Sequence, residues 1–294
     1  MRTHESFVPR ALDDAQSGGG KPSLLTVISG KGGAGKSTIA FNLAIAAGRS
    51  GMRTLLVDLD WQLGNLHILE NVHAGCSFEN VISQPELVSE ALTPINDTVS
   101  LLASAAISGI SMWPTADEVQ FFFVNAADRL SRFDLMIVDT PSGISEQVAV
   151  VATLSDEVLI TLNPELTALS AAYGQYKWLV GKAPEVSGSL LVNRASGAEE
   201  AREISKSFVA LCARFLGRKP KVLGFLHEDR ALVRAVARQR SVFAESPQPV
   251  IARQFSTLAG QVGERLFKNR TAAQRQGNAQ RLTNNIEQTV DSRE

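Results

Sequence analysis

Short runs of apolar residues alternate along the chain with segments in which apolar residues recur every three or four positions. The first pattern predicts buried strands and the second predicts amphipathic helices. The predicted strands are 24–29, 54–58, 99–103, 134–139, 157–162, 190–193 and 222–226. Helices are predicted after 36, at 145–154, 168–180, 199–216 and 231–239, and in a final segment that includes 255–266. This alternation predicts a doubly wound α/β fold with a mostly parallel sheet.

The two ends of the chain differ from this alternating middle. Residues 1–22 carry charges that cancel, and the segment ends in a Ser-Gly-Gly-Gly run that is typical of a flexible arm. From residue 269 onward the chain is rich in Gln, Asn, Arg and Thr, and few apolar residues stand at helical spacing (Leu282, Ile286 and Val290). We therefore predict one folded domain over 23–268, with flexible tails at 1–22 and 269–294.

Composition narrows the class of protein. The 294 residues include 29 Lys and Arg against 30 Asp and Glu, a balance that excludes a strongly basic nucleic-acid coat. Cys76 and Cys212 are far apart, so neither a zinc site nor a disulfide framework is indicated. No apolar run is long enough to span a membrane, and no apolar signal segment opens the chain. We expect a cytoplasmic protein, with peripheral association at the membrane or a cell pole left open.

Residues 30–37 have the sequence Gly-Lys-Gly-Gly-Ala-Gly-Lys-Ser, a complete phosphate-binding loop between a predicted strand and a predicted helix. The glycines let backbone N–H groups turn toward phosphate oxygens, and the helix N-terminus adds partial positive charge. Lys36 should reach the β- and γ-phosphates, and the Ser37 hydroxyl should ligate Mg²⁺. A glycine-rich turn that binds nothing would not need this Lys-Ser pair. The predicted nucleotide contacts in the loop are Gly30, Lys31, Gly32, Gly33, Ala34, Gly35, Lys36, Ser37 and Thr38.

Lys31 is a second lysine within the loop. A nucleoside triphosphate with Mg²⁺ and one lysine keeps roughly one negative charge, which a further lysine would neutralise. The pattern K-G-G-x-G-K-S resembles the deviant Walker A loop of the MinD/ParA family. That resemblance implies that Lys31 is supplied across a homodimer that encloses ATP. The alternative is a solvated loop lysine.

Three carboxylates stand at the ends of predicted strands, where ligands of open parallel sheets bind. Asp58 and Asp60 close the second strand, and Asp139 closes an apolar strand. The family resemblance assigns Asp60 to orienting the attacking water, Asp58 to the magnesium shell and Asp139 to a magnesium-bound water. It also implies that Gly143 lets a second switch segment turn toward the γ-phosphate. The predicted catalytic residues are Lys31, Lys36 and Asp60, and the predicted metal ligands are Ser37, Asp58 and Asp139.

The resemblance also places a base-binding Asn at the end of a later strand, which matches Asn193 beside Arg194. An amide offers a donor and an acceptor to adenine, and the N-K-x-D pattern expected for guanine is absent from the sequence. The predicted cofactors are therefore ATP and Mg²⁺. The alternative is that Asn193 only shapes a turn between strand and helix.

Segments beyond Asn193 are similar to the FlhG (FleN) group of flagellar-number regulators within this family. They include V-N-R, E-A-R-E over 200–203, L-G-F over 223–225 and E-D over 228–229. His227 stands where the family usually has Pro. The resemblance implies an ATP-dependent dimerisation switch that positions or counts flagella, with flagellar assembly or transcription factors as partners. The tail lacks a convincing amphipathic membrane helix, so we do not expect residues 269–294 alone to bind lipid.

Two other functions remain open at this point. A ParA-like partition ATPase would bind DNA non-specifically, although the near-neutral charge makes DNA an unfavoured partner. A metabolic P-loop ligase or kinase would need a second substrate. Trp61 follows Asp60 directly, and its apolar ring predicts a dimer or partner interface there. The run 121–124 predicts a buried anchor on a helix or a loop, not an aromatic platform for nucleic acid.

Overall fold

The computed structural model describes residues 21–61, 64, 66–69, 71–72, 76–104, 113–245 and 249–266. Within them, eight strands form one sheet in the order β3-β4-β2-β5-β1-β6-β7-β8. Neighbouring strands are parallel, except that β3 runs antiparallel to β4. The strands are β1 (Ser23–Ile28), β2 (Thr54–Asp58), β3 (Leu92–Pro94), β4 (Val99–Leu102), β5 (Leu135–Asp139), β6 (Glu157–Leu162), β7 (Gly188–Ala195) and β8 (Lys221–His227).

Helices cover both faces of this sheet. They are α1 (Lys36–Arg49), α2 (Leu66–Leu69), α3 (Phe78–Val81), α4 (Val88–Ala91), α5 (Ala116–Asn125), α6 (Glu146–Leu154), α7 (Leu166–Lys182), α8 (Ala198–Leu216), α9 (Arg230–Ala237) and α10 (250–266). Short 3-10 turns occupy Pro85–Leu87 and Val242–Ala244. The predicted doubly wound, mostly parallel α/β fold is confirmed. The sequence pattern missed β3 and the one-turn helices α2 to α4, because such short elements contain too few residues to show a period.

The core divides according to the face of the sheet. On one face, α1, α9 and α10 pack around buried side chains that include Phe41 and Phe255. On the other face, α3 to α8 pack around two clusters, one built on Phe78 and Phe122 and one on Tyr176 and Phe208. Burying one such aromatic side chain contributes about 1.5–3 kcal/mol. The sheet is therefore fixed from both sides, and its carboxyl edge is a rigid frame for a site.

The central strand β1 lies between β5 and β6, and the phosphate-loop residues follow directly from it. In the pairing of β2 with β5, Asp58 lies opposite Asp139. After β1, the chain forms β2 to β5 on one side of β1. It then crosses over β1 and forms β6, β7 and β8 on the other side. A crevice at the carboxyl ends of the strands is expected where the direction of winding reverses, and ligands of such sheets bind there.

The buried position of Trp61 contradicts one prediction. Its side chain is only 6% exposed, and its ring stacks on that of Phe78 with centroids 5.7 Å apart. The prediction that this ring lies at a dimer or partner interface is wrong, because α3 and α5 bring aromatic rings over it. In the run 121–124, Phe122 and Phe123 are buried and anchor α5 as predicted, whereas Phe121 is half-exposed.

Several predicted features lie outside the described residues. These are residues 1–20 of the arm and the tail at 269–294 with Leu282, Ile286 and Val290. The division into arm, domain and tail stays a prediction.

Candidate functional site

The phosphate loop connects β1 to α1 through a backbone that needs glycine. Gly33 and Gly35 have φ values of +78° and +86°, a left-handed conformation that side chains disfavour. Helix α1 begins at Lys36 with neither a side-chain cap nor an acidic residue in its first turn. Its first N–H groups are therefore left for an external acceptor, and the helix dipole favours an anion there.

Two glycines also fix where the loop lies. A Cβ on Gly30 would come within 2.1 Å of the backbone carbonyl carbon of Ala171 in α7, and one on Gly35 would meet Asn193 Nδ2 at 2.4 Å. Neither position has room for a side chain. The loop is consequently held between α7 on one side and the end of β7 on the other.

Three charged side chains lie buried beneath the loop. Lys36 is 5% exposed, and its Nζ lies 3.4 Å from Oδ1 of Asp139, which is almost wholly buried. Burial raises the pKa of Asp139, and the charge of Lys36 and the hydroxyl of Ser37 oppose that rise. Burial, followed by the charge of Asp139, raises the pKa of Asp58 well above its usual value. One buried lysine, paired with Asp139, thus accompanies two buried carboxylates, an arrangement that favours a further cation.

Asp58 also shapes the loop that follows β2. Its Oδ1 accepts the N–H of Asp60 at 2.9 Å, and its Oδ2 accepts the N–H of Leu66 at 3.2 Å. These hydrogen bonds hold Asp60 next to the carboxylate pair, where its charge raises the pKa of both Asp58 and Asp139. The structure thus brings all three predicted carboxylates to one edge.

The oxygen-rich donor set fits Mg²⁺. The described residues contain no group of three or more His, Cys, Asp or Glu side chains that would form a protein cage for a metal. Mg²⁺ is usually held by one or two carboxylates together with phosphate oxygens and water, so a cage is not required. Ser37, Asp139 and Asp58 are the residues placed to supply such a partial shell.

Lys31 lies apart from this cluster. Its Nζ is 3.0 Å from Oε2 of Glu165, just before α7, and both side chains are about half-exposed at 51% and 54%. The hydrogen bond and charge of Lys31 lower the pKa of Glu165. Of the two loop lysines, the structure therefore brings Lys36 into the carboxylate cluster and leaves Lys31 at the surface.

The other end of the site is a cavity of about 380 Å³ at the carboxyl ends of β7 and β8. Asn193 is 4% exposed, and its Nδ2 donates to the carbonyl of Ala34 at 2.8 Å. Its Oδ1 is buried and has no hydrogen-bond partner among the described residues. One half of this amide thus holds the loop, and the other half is an unpaired acceptor of a residue that lines the cavity. The lining includes Gly35, Thr38, Asn193, Arg194, His227 and Asp229.

A larger cavity of about 700 Å³ lies between α8 and β8 and is mainly apolar. None of the residues predicted to bind nucleotide or metal lines it. Its size therefore does not make it the nucleotide site.

Two residues near the site were missed from the sequence, Glu165 and Gln175. Glu165 follows β6 at the same carboxyl edge, and that position was the available signal. Gln175 is a polar residue on the face of α7 that also buries Ala172 and Leu179. A glutamine among buried apolar positions of a helix indicates a specific hydrogen bond, and Gln175 Nε2 donates to the carbonyl of Gly143 at 2.6 Å.

Residues 25–242 match the family described as the CobQ/CobB/MinD/ParA nucleotide binding domain. The chain belongs to this family. It is 27% identical over 243 residues to the antiactivator FleN of Pseudomonas aeruginosa, covering 81% of this chain and 85% of FleN. It is 24% identical over 243 residues to the flagellum site-determining protein YlxH of Helicobacter pylori, covering 82% of each.

Among solved structures, the septum site-determining protein MinD of Pyrococcus horikoshii OT3, complexed with Mg-ADP, has the same fold. It superposes with a TM-score of 0.70 at 20% identity, covering 82% of this chain and 96% of that one. The predicted MinD/ParA family and its P-loop fold are confirmed. In the described residues, no helix is long and apolar enough to cross a membrane.

Proposed function

We propose that the chain is a Mg²⁺-dependent ATPase that dimerises when ATP is bound and uses this switch to position or count flagella. The observation that carries the proposal is the buried group of Lys36, Asp58 and Asp139 beneath an uncapped helix N-terminus. Buried charges of this kind are costly to a fold and persist where a ligand uses them.

The loop and Lys36 act first, on the phosphates. Backbone N–H groups at the start of α1 would donate to phosphate oxygens, and Lys36 Nζ would shift from Asp139 toward the β- and γ-phosphates. Ser37, Asp139 and Asp58 would hold Mg²⁺. When bound, the ion neutralises charge on the phosphates and on the departing oxygen.

Asp60 then acts on the attacking water. Asp60 lies two residues beyond the end of β2. The hydrogen bond from its N–H to Asp58 holds it beside the carboxylate pair. From there its carboxylate would accept a hydrogen bond from water and align it with the γ-phosphate. Positioning of this kind lowers a barrier without adding affinity for the nucleotide.

Lys31 supports the dimer in this scheme. Because its side chain is half-exposed and its Nζ is held by a surface ion pair, Lys31 can leave Glu165 at little cost and reach a nucleotide in a second copy. Leu166, directly after Glu165, is 81% exposed, and burying it would favour association.

Two relatives that match most of the chain support a flagellar role, since one is named as the antiactivator FleN and the other as a flagellum site-determining protein. The expected partners are therefore flagellar assembly or transcription factors. DNA is a less suitable partner. Arg238 and Arg240, on the most basic stretch after β8, already pair with Glu245.

Hydrolysis of ATP as the sole substrate tests the proposal. We expect phosphate release that requires Mg²⁺ and stops when the ion is chelated. Cells carrying Lys36→Ala in place of the wild-type chain should show an altered number or position of flagella. A protein that releases phosphate only with a second small substrate would instead be a ligase or kinase.

A further inference from the structure

Helix α7 contacts the phosphate site at three separate points. Its residue Ala171 packs against the first glycine of the loop, Gly30. Glu165, just before its first turn, pairs with Lys31. About one turn beyond Ala171, Gln175 reaches the segment after β5. The third contact is specific, because it joins a single buried side chain to a single backbone group.

Gln175 is 2% exposed, and its Nε2 donates to the carbonyl oxygen of Gly143 at 2.6 Å. A carbonyl oxygen can only accept, so the amide must present its nitrogen on this side. The Oε1 of Gln175 is also buried and has no hydrogen-bond partner among the described residues. A buried amide that leaves its acceptor unpaired is costly for a fold, and a hydrophobic residue of similar size would avoid that cost.

Gly143 is held on its other side by Ser29, the residue that follows β1. Its N–H donates to the carbonyl of Ser29 at 3.0 Å, and its φ is +84°. Ser29 directly precedes the phosphate loop, and Asp139 lies four residues before Gly143. The N–H of Gly143 is thus bound to the residue that precedes the phosphate loop, and its carbonyl is bound to the helix that packs against that loop.

From this geometry we propose that Gln175 is a positioning residue for ATP hydrolysis. Gln175 holds the carbonyl of Gly143 while, in the transition state, the N–H of Gly143 leaves Ser29 and donates to the terminal phosphate. The residue touches neither nucleotide nor water and acts only through this backbone carbonyl. The inference rests on the proposed ATPase function and adds a residue to it.

The test uses Gln175→Met, an unbranched residue of similar length that cannot donate. Loss of one neutral hydrogen bond in the transition state corresponds to about a 3- to 10-fold fall in kcat. We expect that fall with an unchanged KM for ATP and an unchanged Kd for ADP, because ADP lacks the terminal phosphate. The matched control is Tyr176→Phe, which removes a buried hydroxyl from the neighbouring residue of α7 and should retain wild-type kcat.

Each result has a distinct meaning. Wild-type kcat in a folded Gln175→Met protein overturns the inference while leaving the ATPase proposal intact. Equal losses of kcat and ADP affinity also overturn it, because they would show that Gln175 only supports the fold. Should Gln175→Met not fold, Gln175→Ala gives the same comparison with a strong helix former. If the wild-type chain itself releases no phosphate, the proposed function fails instead.

Discussion

The two ends of the candidate site are built differently. At the phosphate end, Lys36, Asp58 and Asp139 are almost wholly buried and already interact with one another. At the base end, Asn193 is buried, whereas Arg194 is exposed and His227 is half-buried around an open cavity. Charges fixed in advance in a buried site interact strongly with a ligand and need little rearrangement. The phosphate end should therefore govern affinity and hydrolysis, and the base end should tune the choice of nucleotide.

The largest effect is expected from Asp60→Ala. Loss of water positioning should slow hydrolysis by about 10²- to 10³-fold, or about 3–4 kcal/mol of barrier. ATP affinity should persist, because Lys36, Ser37 and the loop N–H groups are unchanged. Single-turnover hydrolysis and calorimetry measure the two effects separately. The control Asp97→Ala removes a carboxylate before β4, at the opposite edge of the sheet. Wild-type rates for Asp60→Ala would mean that Asp60 only closes the strand.

Lys36→Ala should remove the main side-chain contact with the phosphates of the nucleotide. A charge-assisted hydrogen bond contributes about 1.5–3 kcal/mol, so Mg-ATP affinity should fall about 10- to 100-fold. Calorimetry checks this, with the exposed Lys221→Ala as a control of the same charge change. Equal affinities of Lys36→Ala and the wild type would contradict the phosphate-loop assignment.

Gly30→Ala tests how firmly α7 holds the phosphate end. The added methyl would overlap the backbone of Ala171, so we expect about 1–3 kcal/mol of lost stability against urea, together with weaker ATP binding. Gly32→Ala is the matched control, because no atom lies within 4 Å of its Cβ position. If both variants are equally stable, the close packing of loop and helix is not a constraint.

Asn193→Ala should have the smallest effect. Loss of its hydrogen bond to Ala34 corresponds to about 0.5–1.5 kcal/mol and should weaken ATP and GTP alike. Loss of its Oδ1 should in addition reduce the preference for ATP over GTP. Competition binding with both nucleotides measures that ratio, and Asn125→Ala, at an exposed position of α5, serves as the control. An unchanged ratio would show that Asn193 holds the loop without reading the base.

Local patterns predicted the phosphate end well. The loop is a contiguous motif, and Asp58 and Asp139 each close an apolar strand, while their shared role was implied by the family resemblance. The base end depends on contacts that no local pattern contains. The amide of Asn193 reaches a carbonyl 159 residues away. At the phosphate end, the equally unpredicted contact of Gln175 reaches a carbonyl 32 residues away. The sequence alone does not show which polar side chains form hydrogen bonds inside the fold.

Trp61 illustrates the same limit from the apolar side. An aromatic ring beside a polar switch segment is typical of an interface, yet distant aromatic residues cover this one. Short elements were missed for a related reason. Strand β3 has three residues and is defined by its pairing with β4, which the sequence does not display.

Sedimentation velocity of the Asp60→Ala protein tests the central claim most directly. With Mg²⁺ and ATP the variant should sediment as a dimer, because it binds ATP and cannot consume it, and with Mg²⁺ and ADP it should remain a monomer. Adding Lys31→Ala to the same chain should return the ATP-bound protein to a monomer. An Asp60→Ala protein that binds ATP and still sediments as a monomer would contradict the account.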